Sequence, residues 1–245
     1  MTALKRVDIL LVERNLAESR NRAQALILSG RVFSGQVRIE KSGTRLDDKA
    51  PLTVREQLPY VSRGGVKLKA ALDRFQVNVS GAVCLDVGAS TGGFTDCLLK
   101  EGARSVYCVD VGYGQLDWNL RNDPRVTVME RTNFRTIGDR DLPRHFDLAV
   151  VDVSFISLKL ILPRLRLFLV PGAGVILLVK PQFEAGPDKV GKGGIVRDPQ
   201  VREAALHQVL ESAQAEGFRA LETMESPIRG AGGNLEYLVH LRWCG

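Results

Sequence analysis

Between Ala82 and Glu101 the chain changes character twice. Ala82 to Val87 is an apolar run of strand type, Gly88-Ala-Ser-Thr-Gly-Gly93 is a glycine-rich turn, and Phe94 to Glu101 reads as a helix. A second apolar run, Ser105 to Val109, ends on Asp110, 24 residues after Asp86. That order predicts a βαβ unit of a parallel sheet. In such a unit the backbone N–H groups at the helix start approach a bound ligand. A carboxylate closing the second strand can take a ribose diol. The segment therefore predicts a nucleoside-bearing cofactor. Its candidate contacts are Asp86, Gly88, Ala89, Ser90, Thr91, Gly92, Gly93, Phe94, Asp110 and Val111.

The glycine spacing narrows the nucleoside. Gly88, Gly92 and Gly93 are spaced G-x-x-x-G-G, unlike the G-x-G-x-x-G of nicotinamide enzymes, and no G-x-x-x-x-G-K-[ST] loop is present. Asp86 stands one residue before the end of its strand, where a carboxylate could face a cation. S-adenosylmethionine carries an ammonium and a sulfonium, which suits an acidic frame better than a pyrophosphate does. The plain alternative is a strand–turn–helix corner whose glycines serve only close packing, and Asp110 counts against it.

At 245 residues there is room for one large domain, or a large one and a small one. The net charge of +6 is unevenly placed. Residues 1–69 carry +7 and residues 70–245 carry −1. A basic front of the chain suggests a phosphate-rich partner, against the simpler reading of a solvated basic face. Cys84, Cys97, Cys108 and Cys244 form no C-x-x-C pair, and His145, His207 and His240 are isolated, so neither a disulfide framework nor a metal site is expected. There is no signal-type apolar core and no run of 18 apolar residues, which predicts a cytoplasmic protein.

The front module, residues 1–58, reads as a small α+β unit. Apolar residues at helical spacing fill 7–16, and Ser19 is placed to cap a second helix that stops at Ser29-Gly30. Short strands follow at 31–33, 37–39 and 52–54. Arg14, Arg20, Arg22, Arg31, Arg38 and Lys41 are the cations expected to gather on one surface. After a linker at 59–66, residues 67–245 alternate strands and helices, the signature of a mostly parallel α/β sheet. The strands expected are 82–87, 105–109, 126–129, 146–152, 174–180, 218–224 and 235–242. The loop 184–196 holds five Gly or Pro in thirteen residues and fits a closing lid and a mere connector equally well.

In an open parallel sheet, ligands bind outside the carboxyl ends of the strands. Asp152 ends one apolar strand there, where it also joins the expected cofactor contacts, and Lys180 ends another. Glu236 lies at the start of the last strand and joins the same edge if that strand runs antiparallel. A lysine buried at a strand end needs a partner, which Asp152 and Glu236 would supply. A structural ion-pair cluster is the plain alternative.

Several of these stretches carry a family resemblance. Ser19-Arg-Asn-Arg-Ala-Gln-Ala-Leu-Ile-Leu-Ser-Gly-Arg-Val-Phe33 resembles the RNA-binding domain of ribosomal protein S-four. Asp86-Val-Gly-Ala-Ser-Thr-Gly-Gly-Phe94, Val151-Asp-Val-Ser-Phe-Ile-Ser157 and Leu178-Val-Lys-Pro-Gln-Phe-Glu184 are similar to motifs of the TlyA family. Tyr60-Val-Ser-Arg-Gly-Gly-Val-Lys67, Asp110-Val-Gly-Tyr-Gly-Gln-Leu116 and Glu130-Arg-Thr-Asn133 extend the likeness over nearly the whole chain. That family joins the S-four-type domain to an FtsJ-type, Rossmann-like methyltransferase sheet of seven strands, the last antiparallel. The resemblance implies transfer of a methyl group from S-adenosylmethionine to a ribose 2′-hydroxyl, of a cytidine, in 16S or 23S ribosomal RNA or both. It implies a Lys-Asp-Lys-Glu tetrad on Lys67, Asp152, Lys180 and Glu236, with Lys67 preferred over Lys69 by its spacing from Ser62-Arg63. It also implies an adenine-side contact at Asn133, where relatives carry aspartate, and adds Arg63 to the RNA contacts. Lys180 is then the expected base or hydroxyl-orienting group, because neighbouring positive charge favours a neutral amine. Some relatives carry the name haemolysin. A lytic toxin, a catalytically silent ribosome-assembly factor and a nicotinamide oxidoreductase are the rival readings.

Overall fold

Residues 4–54, 58–138 and 140–245 are described by the computed structural model, which divides into two compact units, Met1–Leu58 and Pro59–Gly245. Residues 1–3 and 55–57, which fall in the expected front module, lie outside the described residues.

In the first unit, β1 (Leu4–Arg6) leads into α1 (Val7–Glu13) and α2 (Arg20–Leu28). Helix α1 stops three residues short of the predicted end, and Asn15 then takes a left-handed φ of 56°. The Ser19 hydroxyl accepts from the Arg22 N–H at 3.2 Å and starts α2 as expected. Strand β2 (Val32–Ser34) sits between β3 (Val37–Arg38) and β5 (Leu52–Val54), while β4 (Arg45–Asp47) pairs antiparallel with β1. Strands β1 and β4 were not expected: three residues each are too few to show a period. Val7, Leu10, Leu11, Ala23, Leu26 and Ile27 form the core. Asp8 is fully buried beside it, accepting from Arg6 at 2.9 and 3.0 Å, from Arg20 at 3.0 Å and from Gln24 at 3.1 Å. Those donors, Arg6 above all, hold its carboxyl well below the usual range, against the opposing effect of burial.

The second unit opens with α3 (Arg63–Phe75), so the segment expected to be a linker enters a helix at Arg63. The Ser62 hydroxyl accepts from Gly64 N–H at 3.3 Å, the cap that starts it. There follow β6 (Val83–Val87), α4 (Gly93–Lys100), β7 (Ser105–Val109), α5 (Trp118–Arg121), β8 (Val126–Met129) and β9 (Phe146–Val151). The rest is α6 (Leu162–Leu165), β10 (Leu169–Val179), α7 (Pro181–Glu184), α8 (Pro199–Ala215), β11 (Phe218–Glu225) and β12 (Tyr237–Trp243). The strands form one sheet in the order β11-β12-β10-β9-β6-β7-β8. Strands β6 to β10 pair in parallel, and β12 runs antiparallel to both β10 and β11. This is the expected fold class. All seven expected strands are present, β10 beginning earlier than predicted with a register shift between Leu169 and Gly174.

Both faces of the sheet are covered. Phe146, Phe168, Phe218 and Leu162 pack on one side, and Leu68, Leu98, Phe94 and Ile176 on the other. Each such side chain stabilises the fold by about 1.5–3 kcal/mol when fully buried. Strand order reverses direction from β6, with β7 on one side and β9 on the other, and the crevice of a doubly wound sheet opens there.

Candidate functional site

The backbone at this crevice is shaped by glycine. Val87 and Asp152 meet through the Asp152 N–H, 2.9 Å from the Val87 carbonyl, so the ends of β6 and β9 lie side by side. Gly88 then turns with φ +86°, and a Cβ there would stand 2.5 Å from the Asp152 carbonyl oxygen. Ser90 follows at φ +49°, and its N–H donates to Asp110 Oδ2 at 2.7 Å. The Gly112 N–H donates to Asp110 Oδ1 at 2.6 Å. The carboxylate closing β7 is thereby locked against the turn after β6. Its remaining lone pairs are available to a ligand.

A cavity of about 420 Å³ opens at this edge, lined among others by Gly88, Ser90, Asp110, Val111, Asn133 and Asp152. These six expected cofactor contacts are brought together. The other six are not at the cavity wall. Gly92 turns at φ +92° with Leu116 and Leu120 packed where a Cβ would sit, Gly93 is pressed against Ser62, and Phe94 is buried in the core. Ala89 is buried beside a smaller adjoining cleft, and Thr91 is exposed.

Asp86 lies fully buried beneath the turn. Its Oδ2 accepts from the Thr95 hydroxyl at 2.6 Å, and its Oδ1 has no partner. Burial pushes its pKa up to about 7, the Thr95 hydrogen bond pulls it down, and the nearby Asp152 and Asp110 carboxylates push it further up. Such a group gains from a cationic ligand. An orphaned buried carboxylate oxygen, a glycine cradle that a Cβ would fill and an acidic cavity wall together fit a nucleoside with a cationic substituent. Asn133, also on the wall, uses its Oδ1 to accept from the Arg135 N–H at 3.1 Å.

Beside the cavity the strand ends assemble two ion pairs. Lys67, on α3, is 92% buried and its Nζ is 2.5 Å from Glu236 Oε2. Glu236 is 2% exposed and immediately precedes β12, whose first residue, Tyr237, pairs with Val179. Lys180, the next residue of that edge, has its Nζ 2.5 Å from Asp152 Oδ1. That contact is ionic, since the Oδ1 lies outside hydrogen-bond alignment. Lys69, the rival of Lys67, is instead half-exposed and pairs with Asp73 and Glu101.

Sequence reasoning missed two groups here. Ser154 accepts from Lys180 Nζ at 2.9 Å, and Thr95 holds Asp86. Ser154 was legible only as a polar residue two positions past a strand end. Thr95 carried no signal, because nothing in a helix sequence tells which hydroxyl turns toward a neighbouring strand.

The candidate RNA contacts divide. Arg14 donates to the carbonyls of Asp48 and Ala50, and Arg20 pairs with Asp8, so both are engaged within the first unit. Arg22, Arg38 and Lys41 are exposed, and Arg31 is half-buried. Arg63, also exposed, donates to the Arg229 carbonyl. The 184–196 segment is pinned at Asn234, which donates to the Gly194 carbonyl at 2.8 Å and accepts from the Val196 N–H at 3.0 Å.

Comparison with known proteins bears on the fold and the family. Residues 60–243 match the family described as FtsJ-like methyltransferase, and residues 5–50 match the S4 domain. The chain is 46% identical over 244 residues to the 16S/23S rRNA (cytidine-2′-O)-methyltransferase TlyA of Mycobacterium tuberculosis, covering 99% of this chain and 91% of that one. It is 42% identical to Hemolysin A of Brachyspira hyodysenteriae over 96% of this chain and 98% of that one. A solved structure from Streptococcus thermophilus that carries a hemolysin name superposes with a TM-score of 0.76 at 44% identity, covering 99% of this chain and 90% of that chain. With an S4 domain ahead of the sheet and relatives matched along nearly their full length, the chain belongs to the TlyA family of FtsJ-like methyltransferases.

Proposed function

We propose that this protein methylates the ribose 2′-hydroxyl of a cytidine in 16S ribosomal RNA, 23S ribosomal RNA or both. The observation that carries the reading is the pair of ion pairs, Lys67–Glu236 and Lys180–Asp152, beside the cavity at one sheet edge. When bound, S-adenosylmethionine supplies an activated methyl group on a sulfonium. Asp110 is the residue to hold its ribose diol, Asn133 flanks the adenine side, and Asp86 offers negative charge from beneath the turn. Lys180 meets the substrate hydroxyl, orients it and takes its proton, while Asp152 holds the amine in place. Lys67, fixed by Glu236, completes the polar set at this sheet edge.

The haemolysin name of some relatives prompts a membrane reading. Among the described residues no helix is long and apolar enough to cross a membrane, and no observation favours lysis. The direct test incubates the protein with labelled S-adenosylmethionine and each ribosomal subunit, then maps any 2′-O-methyl mark. Absence of a mark on either subunit or on free ribosomal RNA overturns the proposal.

Two variants probe the parts. Gly88→Ala places a Cβ against the Asp152 carbonyl and forces φ +86° on a residue that avoids it. Its affinity for S-adenosylmethionine, measured by calorimetry, is expected to fall about tenfold or more, as about 1.4 kcal/mol of strain implies. Unchanged affinity would remove the turn from the site. Replacing Arg22, Arg38 and Lys41 together by alanine is expected to weaken RNA binding at about 50 mM salt. It should flatten the salt dependence by about one unit of slope for each phosphate that is no longer neutralised, with cofactor affinity unchanged. An unaltered slope means that these cations touch no RNA.

A further inference from the structure

The loop after β9 is stitched to the short helix α7 at two points. At one end of α7, Lys180 Nζ lies 2.5 Å from Asp152 Oδ1 and donates to Ser154 Oγ at 2.9 Å. At the other end, Glu184 accepts from the Ser157 hydroxyl at 2.6 Å and from the Leu158 N–H at 2.9 Å. Between the two points Phe155 adopts φ +63°, a conformation that a bulky L residue holds only where its surroundings over-determine it. The Phe155 side chain is 90% exposed and makes one ring contact, with Phe183 on α7, so it does little to fix the loop by packing. Glu184 is 92% buried. Burial pushes its carboxyl pKa up, and the Ser157 and Leu158 donors oppose that shift.

We propose that Ser154 is a positioning residue for Lys180, and that Glu184 sets Ser154 in place by clamping its loop through Ser157. The inference rests on the role given to Lys180 above. A lysine amine ends a flexible four-carbon stem and has no preferred direction of its own. Asp152 approaches it closely but out of hydrogen-bond alignment, so the carboxylate attracts the amine without aiming it. The Ser154 hydroxyl provides the aligned partner. With Ser154 taking one of its tetrahedral directions and Asp152 drawing it close, both of them at the cavity wall, the direction of the amine is restricted. Fixing that direction presents the amine to a substrate hydroxyl in reactive geometry. The loop that carries Ser154 is the strained one, and Glu184 is the buried group that holds its far end.

The test uses the full chain with ribosomal subunits, measuring kcat, KM for RNA, affinity for S-adenosylmethionine and thermal unfolding. Ser154→Ala is expected to lower kcat about 10- to 100-fold, the range that a hydrogen bond to a charged group spans. KM and cofactor affinity should stay within about twofold, the pattern of a contact used after binding. Ser154→Thr, which keeps the hydroxyl, is expected to restore kcat to within about threefold of wild type. Glu184→Gln should lower kcat about tenfold in the wild-type background and by less than about twofold in the Ser154→Ala background, since groups acting through one another are not additive. If Glu184→Gln does not fold, Ser157→Ala replaces it in the same cycle. A wild-type kcat in Ser154→Ala overturns the inference, as do equal losses in the alanine and threonine variants or full additivity with Glu184→Gln. Lys180→Ala run alongside separates the two claims. Its retained turnover would sink the role of Lys180 itself, whereas an inactive Lys180→Ala beside an active Ser154→Ala sinks only the positioning role.

Discussion

Lys180→Ala is expected to lose methyl transfer by about a thousandfold or more, within the range that a positioned proton acceptor contributes, while its affinity for S-adenosylmethionine stays within a few-fold. Lys180 is anchored by Asp152 and Ser154 and lies outside the contacts that shape the cofactor turn. That turn is held by Gly88, by Ser90 and by the Asp110 carboxylate, none of which touches Lys180. Removing the amine therefore leaves the glycine turn and Asp110 standing and takes away the group proposed to meet the hydroxyl. Single-turnover assays on isolated subunits read the loss, and calorimetry reads the binding. Turnover within tenfold of wild type would show that the proton goes elsewhere.

Glu236→Ala carries the largest expected effect on stability. Lys67 is 92% buried, and the carboxylate of Glu236 is the one partner of its amine among the described residues. Gly230 packs so closely against Glu236 that a Cβ there would collide with the carboxylate, so little solvent can enter to replace it. Removing one member of a buried pair strands the other charge and costs about 3–5 kcal/mol. For a chain of this size that is a fall of roughly 6–20 °C in the unfolding midpoint. Lys67→Met combined with Glu236→Leu removes both charges and should recover most of that loss, since well-packed apolar replacements of a buried pair are often neutral. Both double-variant protein and Glu236→Ala should be inactive, which separates the contribution of the pair to the fold from its contribution to the reaction. A Glu236→Ala midpoint within about 2 °C of wild type would mean that water reaches Lys67.

Much of the site was legible because its signals are local. A glycine turn after an apolar run, an aspartate closing the next run, and a charged residue ending a third are each read within ten residues. Asp152, Lys180 and Glu236 could be assigned to one edge by counting strands, and the antiparallel β12 brings Glu236 there. Lys67 could not be placed by counting. Its partner stands 169 residues away and its helix precedes the first strand of the sheet, so only the family resemblance named it. The basic front module shows the complementary blindness. A tally of charges cannot tell that Arg14 and Arg20 spend their donors on Asp48, Ala50 and Asp8, because that depends on which carbonyls and carboxylates the fold leaves within reach. Likewise the sequence does not show that Gly92 and Gly93 also admit the close approach of Leu120 and Ser62.

The Lys67–Glu236 pair also has a consequence in time. Protein synthesis runs from α3 toward β12, so Lys67 leaves the ribosome well before the carboxylate that neutralises it. During that interval α3 cannot bury its lysine without stranding a charge, and its docking beside the sheet is expected to wait for the β11–β12 pair. The Lys67 half of the proposed catalytic edge is therefore expected to assemble late, after a nascent chain has built the glycine turn between β6 and β7.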